Sequence, residues 1–182
     1  KLGYPCFVKP ANAGSSVGIT KAHDKEELIE GLRLAAEHDS KIVVEQGIVG
    51  REIECAVLGN RDHVEASCVG EIFAAAEFYD YDAKYNNSDS KTVVPAEISK
   101  EKEDEIRKIA VKVFKAVDGS GLARVDFFVE KDTENVIFNE LNTLPGFTPI
   151  SMYSMLWAAC GKPMNVLLDE LIDLALERFG IK

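Results

Sequence analysis

The sequence is short of the residues that build metal clusters and disulfide frameworks: its 182 residues include four cysteines and three histidines. Cys6, Cys55, Cys68 and Cys160 show no Cys-x-x-Cys spacing. The first three lie in apolar strand-like runs, where a thiol behaves as a small hydrophobe, and all four read as reduced core residues. His23, His38 and His63 stand apart from one another and from the cysteines, which argues against a zinc site. No apolar run approaches the roughly 20 residues that span a bilayer, and no signal peptide opens the chain. The expectation is a cytoplasmic protein with no membrane partner. Basic residues are in deficit, 21 against 31 acidic for a net charge of −10, and they form no stripe. That argues against nucleic acid and anionic surfaces as partners. A small anion stays within reach if a few lysines and metal ions are brought to it locally.

What is present fits a folded globular chain of one domain or two small ones, with 46% hydrophobic and 29% charged residues. Near the start, VKPANAGSSVG (Val8 to Gly18) carries a lysine on an apolar strand into a loop of small residues. Glycines let backbone N–H groups close around an anion. The loop lacks the Gly-Lys-Ser/Thr ending of a Walker motif, and Gly14 and Gly18 do not make Gly-x-Gly-x-x-Gly. Taken alone, it reads better as a surface turn.

Tyr4 to Pro10 reads as a strand. Asp24 caps a helix with Glu27 as its capping-box partner, and Leu28, Leu32 and Ala35 or Ala36 form its stripe. Three β-rich runs follow: Lys41 to Gln46, Glu52 to Leu58 and His63 to Ile72. Alternation in the second, Ile53, Cys55 and Val57 against Glu52, Glu54 and Ala56, suits a half-buried antiparallel strand. From Tyr79 to Ile98 neither period is visible, and three tyrosines with a lysine make this long loop read as a lid. Ser99 caps a helix carrying Ile106, Ile109, Ala110, Val113, Phe114 and Val117, closed by Gly119. Helices over Ser151 to Cys160 and Met164 to Phe179 end at Gly161 and Gly180. The order of elements predicts an α+β fold with mainly antiparallel sheets.

The most informative pair of segments is ARVDFFVE and VIFNELN, read as strands over Leu122 to Glu130 and Asn135 to Leu141. Strict alternation puts Arg124, Asp126 and Phe128 on one face, and Val136, Phe138, Glu140 and Asn142 on one face of the other strand. With a three-residue turn at Asp132-Thr133-Glu134, Asp126 lies opposite Glu140 and Arg124 opposite Asn142. Two facing carboxylates at roughly 5 Å repel unless a cation separates them, and two carboxylates with an amide oxygen suit magnesium. Arg124 beside them can hold a carboxylate or phosphoryl oxygen. A surface salt-bridge network is the alternative; Phe128, Val136 and Phe138 on that face favour the metal. The turn Thr143 to Pro149, leading into a helix, offers N–H groups to an oxyanion.

Together, KPANAGSSVGI, VVEQGIVGREIECAVLG, FYDYDAKY, GLARVDFFV and FNELNTLPGFTPIS, in this order, closely resemble the ATP-grasp part of D-alanine–D-alanine ligases over essentially the whole chain. The resemblance implies an α+β ATP-grasp fold of two subdomains, 1–48 with the glycine-serine flap and 49–182 with a lid at 79–98 and a metal-binding hairpin at 122–142. It implies ATP-dependent joining of two D-alanines through an acyl phosphate, for peptidoglycan synthesis. In that reading ATP lies in the grasp between the subdomains. Lys9 contacts its phosphates, and Ser15 and Ser16 of the flap lie near the γ-phosphate. Glu45, Gln46 and Ile48 surround adenine, Phe78 packs on it, and Glu52 holds the ribose. Gly47 departs from members with a bulky residue there.

By the same resemblance, Lys84 stabilises the transferring phosphoryl group and Tyr85 closes over the substrate by bonding the flap serine. Asp126, Glu140 and Asn142 hold two magnesium ions, with manganese as a substitute. Arg124 and the Gly146 N–H stabilise the tetrahedral intermediate, and Ser151 with Met152 receives the second D-alanine. The family carries an N-terminal domain ahead of the pattern at Lys1, so this chain is expected to be a fragment that does not turn over by itself. The intact protein is compatible with a homodimer. Rival readings are a ligase using D-lactate or another second substrate, and a nucleotide-binding module without catalysis.

Overall fold

The computed structural model describes residues 2–13, 16–73 and 91–181. Gly14, Ser15, Phe78, Lys84, Tyr85 and most of the expected lid lie outside them. The described chain falls into two compact units, residues 2–13 and 16–49 with 91, and residues 50–73 with 92–181.

The first unit is a three-stranded antiparallel sheet, order β2-β1-β3, with one helix. Its elements are β1 (Cys6–Pro10), β2 (Thr20–Ala22), α1 (Lys25–Ala36) and β3 (Ile42–Gln46). Helix α1 starts where the side chain of Asp24 accepts from the Glu27 N–H at 2.9 Å. The other half of the expected capping box differs. Glu27 reaches one residue further back and accepts from the His23 N–H at 2.8 Å. That bond from the His23 backbone, and a second from its ring, hold the Glu27 carboxyl below the usual range. The helix buries Gly31 and Ala35, with Gly31 close against Thr20 and Val8, so small residues let it approach the sheet.

The second unit is a five-stranded sheet, order β6-β5-β4-β7-β8. Its strands are β4 (Gly50–Asn60), β5 (His63–Phe73), β6 (Lys91–Val93), β7 (Ser120–Glu130) and β8 (Val136–Asn142). The β4–β5, β4–β7 and β7–β8 pairs are antiparallel. Helix α2 (Lys100–Ala116) covers one face, packing Ile106, Ala110 and Phe114 on Ile53, Cys55, Val57, Val125 and Phe127. Helices α3 (Met152–Ala159) and α4 (Met164–Phe179) serve the opposite face, where Met152, Tyr153, Leu156, Trp157 and Leu167 meet Ala56 and Leu58. Strand β4 is therefore buried from Ile53 to Asn60 on both sides. Alternation suggested half-burial, because Ala56 and the glutamates made one face look polar.

Strand β6 lies inside the stretch expected to be irregular; three residues are too few for a period to emerge. Helix α2 also ends differently from its expected glycine stop. Asp118, at φ 55°, takes the left-handed position, and the Gly119 N–H reaches back to the Phe114 carbonyl at 2.9 Å. Gly119 is required by space: a Cβ there stands 2.6 Å from the Phe114 ring. Gly119→Ala is expected to cost about 1–3 kcal/mol through overpacking, read as a lower urea midpoint. Helices α3 and α4 do end on left-handed glycines, Gly161 and Gly180. Cys6 and Cys55 are buried as expected, whereas Cys68 is half-buried and Cys160 exposed. Helix α3 ends at Ala159, one residue before Cys160, which leaves that thiol outside the core. Among the described residues, no helix is long and apolar enough to cross a membrane.

Candidate functional site

Three neighbouring strands bring three carboxylates into one row on the face that α3 and α4 only partly cover. Glu54 on β4 pairs with Asp126 on β7, and Asp126 pairs with Glu140 on β8. One step along, Arg124 lies between Ala56 and Asn142. Its Nε and Nη2 donate to the two oxygens of Asp126 at 2.8 and 2.7 Å, and Nε lies 3.0 Å from Glu54 Oε2. Glu54 and Asp126 are 6% and 8% exposed, so the arginine answers two carboxylates that burial makes costly. Burial also acts to lower the Arg124 pKa. The hydrogen bonds to Asp126 and the charges of Glu54, Asp126 and Glu140 outweigh it and hold the pKa above its ordinary value. Arg124 is a permanent cation here.

The Asn142 amide bridges two of the carboxylates, its Nδ2 donating to Asp126 Oδ2 at 3.0 Å and to Glu140 Oε1 at 3.1 Å. Oxygens of both carboxylates thus converge on one point. A half-turn of the amide replaces its NH2 group with Oδ1 and gives an all-oxygen donor set, the chemistry of a hard divalent cation. No group of three or more His, Cys, Asp or Glu side chains suited to a metal occurs among the described residues; the donors the geometry brings together are two carboxylates and this amide.

The register at the row agrees with the sequence expectation, but the turn that was to set it does not. The Glu130 N–H bonds the Asn135 carbonyl at 3.0 Å, enclosing four residues, and Val129 pairs with Val136 and Phe127 with Phe138. A bulge then intervenes between Asp126 and Phe127, with Asn139 as the additional residue on β8. It reverses which face later residues address. Val136 and Phe138 therefore share the α2 face, where the Phe138 ring meets Phe127 edge-on at 6.3 Å. Strict alternation had placed both beside Glu140. The apolar residues that do flank the carboxylates are Phe128 and Ile137, a facing pair.

Beyond β8, the loop at 143–151 is anchored in the core. Pro145 is buried, Phe147 packs on Tyr153 at 5.9 Å, and the Tyr153 hydroxyl donates to the Val57 carbonyl at 3.1 Å. Ser151 precedes α3 without capping it, since its Oγ instead accepts from the Thr148 N–H at 3.1 Å and pairs with Thr148 Oγ1 at 2.8 Å. Gly146 sits against Ser151, with 3.0 Å between a Cβ at position 146 and Ser151 Oγ. Gly146 and Ser151 are thus neighbours. Met152 turns its side chain into the core against Gly70, which leaves only its backbone at the first turn of α3 to meet a ligand.

In the first unit, Lys9 and Glu45 share a face of the β1–β3 pair and form an ion pair at 2.7 Å. Both are partly exposed, so the pair contributes at most about 1 kcal/mol and Lys9 can exchange Glu45 for another anion cheaply. Gln46 is exposed and Ile48 half-buried. Gly47 donates to the Pro5 carbonyl at 3.0 Å, and a Cβ there lies 2.7 Å from that oxygen, which accounts for glycine at this position. Ser16, at φ 61°, stands at the far side of the flap. Glu52, half-buried in the second unit, lies between Ile72 and Phe128. Glu54 was absent from the expected site, although its place two residues after Glu52 in an alternating strand signalled a shared face.

The family model described as D-ala D-ala ligase C-terminus matches residues 1–173. The chain is 59% identical over 180 residues to the D-alanine–D-alanine ligase of Acetivibrio thermocellus, with 99% of this chain and 48% of that protein covered. It is 58% identical to that of Ruminiclostridium cellulolyticum, covering 98% and 48%. Among solved structures, it superposes on the VanG D-Ala:D-Ser ligase of Enterococcus faecalis with TM-score 0.86 and 44% identity, covering 96% of this chain and 50% of that one. It superposes on the Bacillus anthracis D-alanine–D-alanine ligase complexed with ATP with TM-score 0.78 and 34% identity, covering 97% and 55%. The chain spans about half the length of these relatives, and its two antiparallel sheets with four helices among the described residues are the ATP-grasp part of their fold. This chain belongs to the D-alanine–D-alanine ligase family.

Proposed function

We propose that the full-length protein joins two D-alanines with cleavage of ATP, through an acyl phosphate, for peptidoglycan synthesis. The observation that carries this reading is the row Glu54–Asp126–Glu140, with the Asn142 amide converging on Asp126 and Glu140. Asp126, Glu140 and Asn142 would hold two magnesium ions, for which manganese could substitute. Once bound, these ions neutralise phosphate charge during transfer.

The chain's own groups divide the remaining work. Lys9 releases Glu45 and binds ATP phosphates, with Ser15 and Ser16 near the γ-phosphate. Glu45, Gln46, Ile48 and Phe78 receive adenine, and Glu52 the ribose. Lys84 steadies the γ-phosphoryl group while the first D-alanine carboxylate attacks it, which divides one hard condensation into two displacements. Tyr85 helps close the site and keep water from the acyl phosphate. Ser151 and the Met152 backbone hold the second D-alanine carboxylate. The amine of the second D-alanine attacks the acyl carbon, the C–N bond forming as the C–O bond to phosphate breaks, with phosphate and the amine proton leaving; the Gly146 N–H with Arg124 stabilises the oxyanion.

D-Alanine is the proposed second substrate because curated relatives at 53–59% identity are D-alanine–D-alanine ligases, while the VanG neighbour is a D-Ala:D-Ser ligase. The test is phosphate release by the full-length protein with Mg-ATP and D-alanine alone, or D-alanine with D-serine or D-lactate. Dipeptide formation from D-alanine alone, lost in Lys84→Ala, supports the reading. Release only with D-serine or D-lactate corrects the second substrate. ATP binding without release under any condition makes this a nucleotide-binding module.

A further inference from the structure

Cys68 and Cys160 stand 92 residues apart in sequence, yet the Cys68 N–H donates to Cys160 Sγ at 3.0 Å. Two features bring them together. The β4–β5 ladder is irregular opposite Ala56: Cys55 pairs with Val69 and Val57 with Ala66, so Ser67 and Cys68 share one position. Ser67 Oγ takes over the Ala56 N–H at 3.0 Å, and the Cys68 N–H is directed to the sulfur of Cys160. On the other side, the end of α3 is fixed. The Lys162 N–H closes on the Trp157 carbonyl at 2.9 Å, and the Lys162 ammonium ties Glu65 of β5 to Glu170 of α4. Cys68 Sγ itself points back along α3 to the Leu156 carbonyl at 3.5 Å. No part of the proposed ligation uses either thiol.

We propose that Cys68 and Cys160 form a reversible intrachain disulfide, a modification site that fastens the C-terminal end of α3 to β5. Cys160 is exposed and meets the oxidant first. Burial, and then the neighbouring Cys160, push the Cys68 thiol up to about 12, so it is the poorer first nucleophile. With a peroxide as oxidant, the Cys160 thiolate attacks one oxygen: an S–O bond forms, the O–O bond breaks, and hydroxide leaves. Cys68 sulfur then attacks Cys160 sulfur, forming S–S and breaking S–O, with its own proton leaving in water. Two electrons pass from the two sulfurs to the peroxide. A dithiol reductant reverses the reaction by exchange.

The test treats the full-length protein with hydrogen peroxide, alkylates the remaining thiols, and maps tryptic peptides by mass spectrometry without reduction. The expected result is a peptide pair joined through Cys68 and Cys160, lost on adding dithiothreitol and absent from Cys160→Ser and Cys68→Ser. Oxidation should also raise the urea midpoint of the wild type and leave both variants unmoved, because the bridge closes a long loop in the unfolded chain. Cys160 converted to sulfinic acid while Cys68 stays open to alkylation overturns the proposal. So does a bridge found only between two molecules.

Discussion

Arg124→Met is expected to destabilise the protein by about 3–5 kcal/mol near neutral pH, a loss large enough to leave much of it unfolded. Glu54 and Asp126 are almost fully buried, and Arg124 meets both, through two hydrogen bonds to one and a close contact with the other. Methionine keeps most of the volume but removes the charge, so the cost measures the uncompensated carboxylates and not a cavity. The pH dependence separates these causes. Arg124 stays charged throughout the working range, its pKa being raised, so the wild type gains nothing from its titration. In the variant, protonating the carboxylates removes the unpaired charge. The deficit should therefore shrink as pH falls through the titration of the buried carboxylates and widen again above it. Arg124→Lys should fall between the two, because an ammonium restores charge without the bidentate geometry. Urea unfolding of all three proteins across that range is the measurement. A deficit that ignores pH would mean that packing, not charge, holds this part of the sheet.

Glu140→Gln should show the opposite profile: stability within about 0.5 kcal/mol of the wild type and a loss of roughly 10²–10³-fold or more in ligation rate. Glu140 is exposed on the edge strand β8, and its one hydrogen bond described here is from the Asn142 amide. Glutamine can still accept that bond. What disappears is one negative charge from the row, together with a hard oxygen ligand. The divalent-ion concentration needed for half-maximal rate should therefore rise in the variant. If the rate holds and the metal requirement is unmoved, Glu140 is a surface carboxylate and the metal assignment fails at its centre.

Much of this site could be read from residue order because its chemistry lies on neighbouring strands joined by a short connection. Arg124 and Asp126 lie two apart, as do Glu140 and Asn142, so period-two alternation is enough to present each pair on one face. What alternation could not disclose was the irregularity at Asn139. A bulge of this kind needs no glycine or proline to mark it, and it arises where two ends of a strand have different partners. The Val136–Phe138 end is drawn to the α2 face and the Glu140–Asn142 end to Arg124. Glu54 was missed for a related reason. Its neighbours Ala56 and Leu58 gave no hint that helices from the far end of the chain would bury that face. The exposure of Cys160 follows from the exact end of α3, and helix ends are the hardest boundary to place from pattern.

The additional residue at Asn139 also determines how the tip of this hairpin can vary. The half of β8 near the turn keeps time with the core, and the half beyond Asn139 keeps time with the carboxylates, one beat out of phase. Residues added in the unpaired 131–134 turn only enlarge the loop and leave both halves in phase with their partners. Deleting Asn139 forces a choice: either Val136 and Phe138 leave the α2 face, or Glu140 and Asn142 turn away from Asp126. Length variation should therefore be tolerated at the tip of this hairpin and not within β8.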